Sequence, residues 1–423
     1  MLIAGAVVLV WIVALRRARP GLPWVLAALA LTVALLYGPS LRYGFVTDDF
    51  YFARPLSGPQ LASTFYGNWE PLDQGNSHYR PLIAVAFQLD VLLWGPRPPG
   101  FHLTNLVVMA AAGLLAFALL RRLGADPPAA LLGALAWMAH PLAASAACWT
   151  SERTDSIMAV FYLATLVALL AEPFGRREAL ATLACGLLAL GSKEMAATLP
   201  VTGVLVLLAA PPRGERLSRV HTLAALAALT VAYVLAWMAL FPNKSRLVLE
   251  GLGRKLAAAV LPVFVPLAYE DAGRVRALLW IPLVLAVVLA AGVLLARRGP
   301  RAAARLYWLG LAWTLATLPP VFGLRDPDIH RLGLLVCFGA ALMITAAAMA
   351  LPPRTRWALP LTAAALALLL APPAMESGAA WGPGGWAFES GNGWKLRDPT
   401  WESRLTPEMR KLFRRQARQY LAH

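Results

Sequence analysis

The chain has 423 residues, of which 59% are hydrophobic and only 14% charged. Soluble domains carry about 45–50% apolar and about 25% charged residues. Here the apolar residues also run in long uninterrupted blocks, which excludes a soluble multidomain protein. The net charge is +16, a balance that the loops explain without nucleic acid.

In chain order, apolar blocks cover about 1–15, 24–38, 102–120, 128–147, 157–171, 179–191, 196–210, 220–241, 277–296, 306–321, 332–350 and 357–372. A bilayer asks for ~20 apolar residues per helix. The blocks predict an all-α polytopic membrane protein with about 11–12 transmembrane helices, the 179–191 and 196–210 pair being short. Residues 1–15 fit a span, an interfacial helix or an uncleaved signal-like segment, having neither a basic start nor an A-x-A cleavage site. Two regions follow: a membrane domain over 1–372 and a short tail over 373–423. The tail ends in a predicted helix opened by Thr406-Pro407-Glu408. Cys148, Cys185 and Cys337 lie in apolar blocks without CxxC spacing, so neither a disulfide framework nor a zinc site is indicated.

Charge orients the blocks. The loops 16–23, 121–127, 172–178, 211–219, 297–305 and 351–356 hold sixteen arginines and four acidic residues. This is the positive-inside pattern, and it predicts that these six loops face the cytoplasm. The 39–101 loop, the 242–276 loop (with Arg254-Lys255) and the tail then lie on the outer side. Within the first of them, Pro81–Trp94 is a fourteen-residue apolar stretch containing Asp90. It predicts a helix lying along the membrane surface.

The candidate site residues cluster at the outer ends of the blocks. Asp48-Asp49 is an adjacent acidic pair that suits a general base, a metal site or a proton relay, or is a solvated pair. Arg80 either binds phosphate through its fork of donors or pairs with Asp48 or Asp49. His102 and Asn105 are three residues apart and share a helix face. His140 is either a site residue or a helix-end histidine bonded to a carbonyl, and Arg153 and Asp155 follow it. Lys193-Glu194 sits between the two shortest blocks, as a functional pair or a mutual salt bridge. The last outer loop holds Arg325, Asp326, Asp328, His330 and Arg331.

These elements, in this order, resemble the polyprenyl- or dolichyl-phosphate-sugar-dependent glycosyltransferases of the GT-C fold. The likeness is to the branch of transmembrane O-mannosyltransferases with tetratricopeptide tails and their bacterial relatives. It runs from about Phe45 to Gly339. The matching elements are Asp48-Asp49, Tyr79 to Leu82, and Phe101 to Asn105. His140-Pro141 with Arg153 and Asp155, Lys193-Glu194, and Arg331 with Gly339 complete the set. The chain departs from the pattern at Ser145, where the family has Glu, and at Arg331-Leu332-Gly333-Leu334, where it has Arg-Tyr-Leu-Tyr. The tail holds about fifty residues and no tetratricopeptide array.

The resemblance implies a multi-pass protein of the bacterial inner membrane with its active site and C-terminus on the periplasmic face. It implies inverting transfer of a sugar, a mannose-like hexose favoured, from a polyprenyl-phosphate donor to a hydroxyl of a protein or glycan acceptor. Asp48 would act as base with Asp49 second. Arg80, His102, Asn105, His140, Arg153, Asp155, Lys193, Glu194 and Arg331 would bind donor phosphate or substrate. Membrane lipids are expected partners and nucleic acid is not. No cofactor or metal ligand set is predicted, with a divalent metal left open. The alternatives are a transporter or lipid flippase, and a non-catalytic membrane scaffold of the same fold.

Overall fold

Each of the twelve apolar blocks is mainly helical over its described residues. The computed structural model describes residues 2–16, 21–46, 48–69, 78–211, 214–241, 261–266, 281–322, 329–383 and 407–421. Arg254-Lys255, Arg325, Asp326 and Asp328 lie outside the described residues, as do the side chains of His330 and Arg331.

Helices α1 (Leu2–Leu15) and α2 (Leu22–Tyr37) open the bundle, followed by two short outer-loop helices, α3 (Asp49–Phe52) and α4 (Gly58–Ser63). The Pro81–Trp94 stretch forms α5, and α6 (Pro98–Arg122) returns through the bundle. Next come α7 (Pro127–Met138), α8 (Ala144–Cys148), α9 (Arg153–Leu169), α10 (Arg176–Leu190), α11 (Leu199–Ala209) and α12 (Arg216–Leu240). The last part holds α13 (Ile281–Arg298), α14 (Arg301–Thr317), α15 (Pro319–Phe322), α16 (Ile329–Val336), α17 (Phe338–Ala350), α18 (Leu359–Ala379) and α19 (Pro407–Leu421).

Among the described residues, five helical segments are long and apolar enough to cross a membrane alone: Leu22–Arg42, Pro98–Arg122, Arg216–Leu240, Gly333–Ala350 and Leu359–Ala379. A sixth forms if α7 and the Pro141–Cys148 segment count as one span bent by 64°. The bend has a local cause. His140 precedes Pro141, whose ring disfavours helical backbone at the residue before it, and His140 is extended with φ −68° and ψ 135°. By length and composition this gives five or six crossing helices among the described residues in place of the eleven or twelve expected; Leu2–Leu15 and Glu194–Ala209 are apolar but shorter, because polar turns end them early.

Three of the six arginine-rich loops meet at one end of the bundle. Arg122 and Arg219 donate to the Leu170 and Leu169 carbonyls there. Asp49, Asn105, Asp90 and Lys193 all reach the Trp149–Asp155 segment at the other. Between the ends the core is built from small residues and buried aromatics. Gly310 of α14 and Gly339 of α17 face each other, and a Cβ on either would fall 2.5 Å from the other's carbonyl oxygen. Such close backbone approach is how helices pack where water drives nothing. Trp137 and Trp313 donate their indole N–H groups to the Leu334 and Leu335 carbonyls at 2.8 and 2.9 Å.

Candidate active site

The acidic pair sits where α2 has ended and the chain turns into α3. Asp49 is fully buried, while Asp48 beside it is half-buried. The Asp49 carboxylate is held by three donors. Oδ2 accepts the Val46 N–H at 2.9 Å, and Oδ1 accepts the Ser151 N–H at 2.7 Å together with the Ser151 hydroxyl. Burial pushes its pKa up to about 7, against the lowering effect of the Ser151 and Val46 hydrogen bonds and with a further push from Asp48. Asp49 thereby fixes the backbone at Val46 and Ser151.

Ser151 belongs to a run, Thr150 to Ser156, in which all seven residues are polar and all are buried. This run connects the other site elements. Arg153 donates to Asp90 of α5 and to the Phe101 carbonyl at 2.9 Å, with its guanidinium 4.5 Å from the Phe87 ring centroid. Asp90 also accepts the Thr104 hydroxyl at 2.8 Å, so the charge inside that apolar helix is satisfied from two directions. The rest of α5 splits into a buried face, with Ile83 and Phe87, and an exposed one, with Leu89, Leu92 and Leu93. That division suits a helix with one side on protein and the other in an apolar medium.

Lys193 and Glu194 do not pair with each other. Lys193 Nζ donates to Glu152 at 2.6 Å and to Asp155 at 2.5 Å. Glu194 instead takes the fork of Arg80, with Nε at 3.1 Å and Nη2 at 2.9 Å, and His78 Nδ1 at 2.8 Å. Burial raises the Glu194 pKa, but Arg80 and His78 outweigh it and hold the carboxyl well below the usual carboxylate range. Arg80 therefore grips Glu194 and not the acidic pair. The Leu82 N–H donates to the Gly191 carbonyl at 3.1 Å, which fixes the start of α5 on the same turn.

The two motif histidines differ. His102 is buried at the start of α6, edge-on to Tyr43 with ring centroids 6.1 Å apart. Asn105, one turn later, donates to the Trp149 carbonyl at 3.0 Å. His140 accepts the Leu142 N–H on Nδ1 at 3.2 Å, so its Nε2 carries the proton donated to the Val263 carbonyl at 3.2 Å. It serves as a helix-end histidine. Ser145 is buried as the second residue of α8.

Around Asp49 lies an aromatic shell. Phe45 meets Phe50 and Phe101 edge to face at 5.9 and 5.2 Å, and Phe52 stacks on Phe87 at 5.0 Å. A hollow lined by Tyr51, Phe52, Trp69 and Phe87 opens beside it. The terminal helix α19 closes the shell through Met409 and Phe413, so its apolar stripe packs on the outer loop. Of the residues expected to form one site, Asp49, Asn105, Arg153, Asp155 and Lys193 are joined through the 149–155 segment, and Arg80 and Glu194 adjoin it. Ser151, Glu152, His78 and Asp90 belong to the same network and were not among the expected site residues. Among the described residues, no three His, Cys, Asp or Glu side chains are grouped to hold a metal ion.

Comparison with characterised proteins finds partial relatives of one kind. The chain is 31% identical over 147 residues to protein O-mannosyl-transferase TMTC3 of Mus musculus, covering 32% of this chain and 16% of that protein. It is 30% identical over 186 residues to protein O-mannosyl-transferase Tmtc1 of Drosophila melanogaster, covering 41% of this chain and 21% of the relative. Against protein O-mannosyl-transferase TMTC1 of Mus musculus the figures are 29% over 160 residues, 35% and 17%. The similarity thus spans less than a quarter of each relative's own length. No family profile matches the chain, and no solved structure matches it. The chain resembles protein O-mannosyl-transferases over part of a multi-pass helical membrane protein.

Proposed function

We propose that this protein is a membrane glycosyltransferase of GT-C type that moves a mannose-like sugar from a polyprenyl-phosphate carrier to a hydroxyl of a protein acceptor. The observation that carries the reading is the construction of the Asp48-Asp49 turn. Three donors and complete burial hold Asp49 in place, and its half-buried neighbour Asp48 is the carboxylate of the pair nearer to solvent. A general base needs an oxygen that an incoming hydroxyl can reach, which favours the partly exposed Asp48, whereas the fully buried Asp49 is suited to fixing the turn. The partial likeness to protein O-mannosyl-transferases supports the same reading.

In this mechanism the Asp48 carboxylate takes the acceptor proton, and the hydroxyl oxygen attacks the anomeric carbon of the donor sugar. The bond from that carbon to the phosphate oxygen breaks as the new bond forms, with inversion, and the lipid phosphate leaves as an anion. No proton need be given to this leaving group, but its growing charge needs nearby donors. In this reading the site end of the bundle faces the periplasm of a bacterial inner membrane; the arginine-rich loops at the opposite end support the orientation.

Separate measurement of donor binding and sugar transfer tests the assignment. Asp48→Asn keeps the shape of the side chain but cannot accept a proton, and loss of a general base costs about 10²–10⁴ in rate. Transfer should fall by that factor while donor binding holds. Asp49→Asn should weaken both, because it loosens the turn. Wild-type transfer by Asp48→Asn would remove Asp48 from the role of base.

A further inference from the structure

The six arginine-rich loops hold four acidic residues, and each is engaged at a particular turn. Asp126 accepts the Ala129 N–H at 3.1 Å at the start of α7, and Glu178 accepts the Gly175 N–H at 2.9 Å at the start of α10. Glu215 accepts the Phe174 N–H at 3.3 Å and lies 3.7 Å from Arg219, and Glu172 acts on the same arginine. None serves the turn between α13 and α14. There Arg297, Arg298, Arg301 and Arg305 fall within nine residues, and the sequence has no acidic residue from 272 to 325. All four arginines are exposed, and among the described residues no carboxylate pairs with any of them. Arg297 and Arg298 suit the last turn of α13, whose dipole attracts cations. Arg301 has no such reason, because it opens α14, where a cation opposes the dipole; Arg305 lies one turn on along the same face. Helix α14 runs from this turn toward the site end, where Trp313 donates to Leu335 of α16 and Gly333 of α16 abuts Leu142. Arg301, twelve residues before Trp313, therefore lies about 18 Å down the helix, at the opposite end of the bundle. Beside the turn α13 is bare. Of its residues 282–298 only Gly292 is buried, against Tyr307 and Trp308 of α14, while Leu283, Val287 and Leu294 are 52%, 59% and 53% exposed.

We propose that the α13–α14 turn binds an anionic phospholipid, with the guanidinium groups on its phosphates and its acyl chains along the bare face of α13. The ligand class is a lipid with two phosphates, of the cardiolipin type. Four cations without a carboxylate exceed what one phosphate can neutralise, and each guanidinium fork can take two phosphate oxygens. Basic clusters beside lipid-facing helices at the arginine-rich side of a membrane recognise such headgroups. The occupant is a lipid and not a soluble anion, because the apolar helix beside the turn needs acyl chains to cover it. This site lies away from Asp48 and holds whatever reaction the protein performs.

Intact-complex mass spectrometry of the full-length protein in neutral detergent, titrated with tetraoleoyl cardiolipin, tests this. The wild type should bind cardiolipin more tightly than phosphatidylglycerol, and phosphatidylglycerol more tightly than phosphatidylcholine. Arg301→Gln/Arg305→Gln should bind cardiolipin about 25-fold more weakly, at about fivefold per arginine near an anionic headgroup. This variant keeps Arg297 and Arg298, and with them the orientation of the loop. Arg176→Gln/Arg177→Gln removes the same charge from the exposed start of α10 and should bind as wild type. Both variants should melt as wild type in lipid-free detergent, because the replaced side chains are exposed. Added cardiolipin should raise the melting temperature of the wild type and of the Arg176/Arg177 variant, but not of the Arg301/Arg305 variant. Unchanged cardiolipin binding in the Arg301/Arg305 variant overturns the proposal. Equal losses in the two variants also overturn it, since only a general positive surface would remain. Equal binding of phosphatidylglycerol or phosphatidylcholine does the same, because the second phosphate would then not be read. Displacement of cardiolipin by an equal concentration of glycerol bisphosphate would make the turn a site for soluble anions and likewise overturn it.

Discussion

Replacing Lys193 by methionine isolates the most heavily charged contact of the site. Lys193, Glu152 and Asp155 are 2%, 4% and 0% exposed, and the ammonium lies 2.6 and 2.5 Å from the two carboxylates. Met fills the same volume, so the perturbation is almost purely electrostatic. Removing one partner of a buried ion pair costs about 3–5 kcal/mol, because the remaining charge is left without compensation. Here two carboxylates would be left against each other, which puts Lys193→Met at the upper end of that range. Glu152→Gln behaves differently. It leaves Lys193 paired one-to-one with Asp155 and removes a like charge, so its cost is about 0–1 kcal/mol, that of one altered hydrogen bond. The assay is thermal unfolding of the purified proteins in one detergent at one scan rate, since membrane proteins of this size need not unfold reversibly. Lys193→Met should melt well below Glu152→Gln, which should stay near wild type. Equal melting of the two variants would refute the reasoning, because the triad would then carry no buried charge imbalance.

Three further outcomes follow from the same structure. The Asp49 pKa of about 7 lies above its unfolded value of about 3.9, so its contribution to stability is full below pH ~4 and is lost as pH rises through 7; the wild type should therefore lose melting temperature relative to Asp49→Asn across that window, and a pH-independent difference would count against it. Arg153→Met strands Asp90 and should cost about 3–5 kcal/mol in unfolding, whereas Asp90→Leu/Arg153→Met should recover most of that loss. Gly339→Ala places a Cβ 2.5 Å from the Gly310 carbonyl and 2.1 Å from the Thr314 hydroxyl, so it should destabilise by about 1–3 kcal/mol, read as a fall in melting temperature.

The helices were legible because each apolar block is a local signal, and charge at the block ends gave the alternation of loops. The ionisable residues of the site were legible for a related reason, since polar groups at the ends of apolar helices stand out. Their pairing was not. Lys193-Glu194 looks like a mutual pair in sequence, but Lys193 is extended, with φ −160° and ψ 145°. Adjacent side chains on extended backbone point to opposite sides, so Lys193 turns to α9 and Glu194 to Arg80. Asp90 looked out of place in an apolar stretch because its partner, Arg153, lies on another helix. Ser151 and Glu152 were overlooked as loop residues, although the unbroken polar run from Thr150 to Ser156 between apolar segments marked the place. The apolar stripe of α19 was visible as Met409, Leu412, Phe413 and Tyr420, but periodicity alone does not distinguish a seat on lipid from the one that Met409 and Phe413 take on the protein's own aromatic shell.

The most direct measurement is incubation of the full-length protein, in detergent, with polyprenyl-phosphate mannose carrying a radiolabelled sugar and a peptide bearing serine and threonine. The account predicts label on a peptide hydroxyl, in the inverted anomeric configuration, and a loss of about 10²–10⁴ in rate for Asp48→Asn. Label that stays on the lipid carrier with the wild type, across mannose, glucose and arabinose donors, would contradict it.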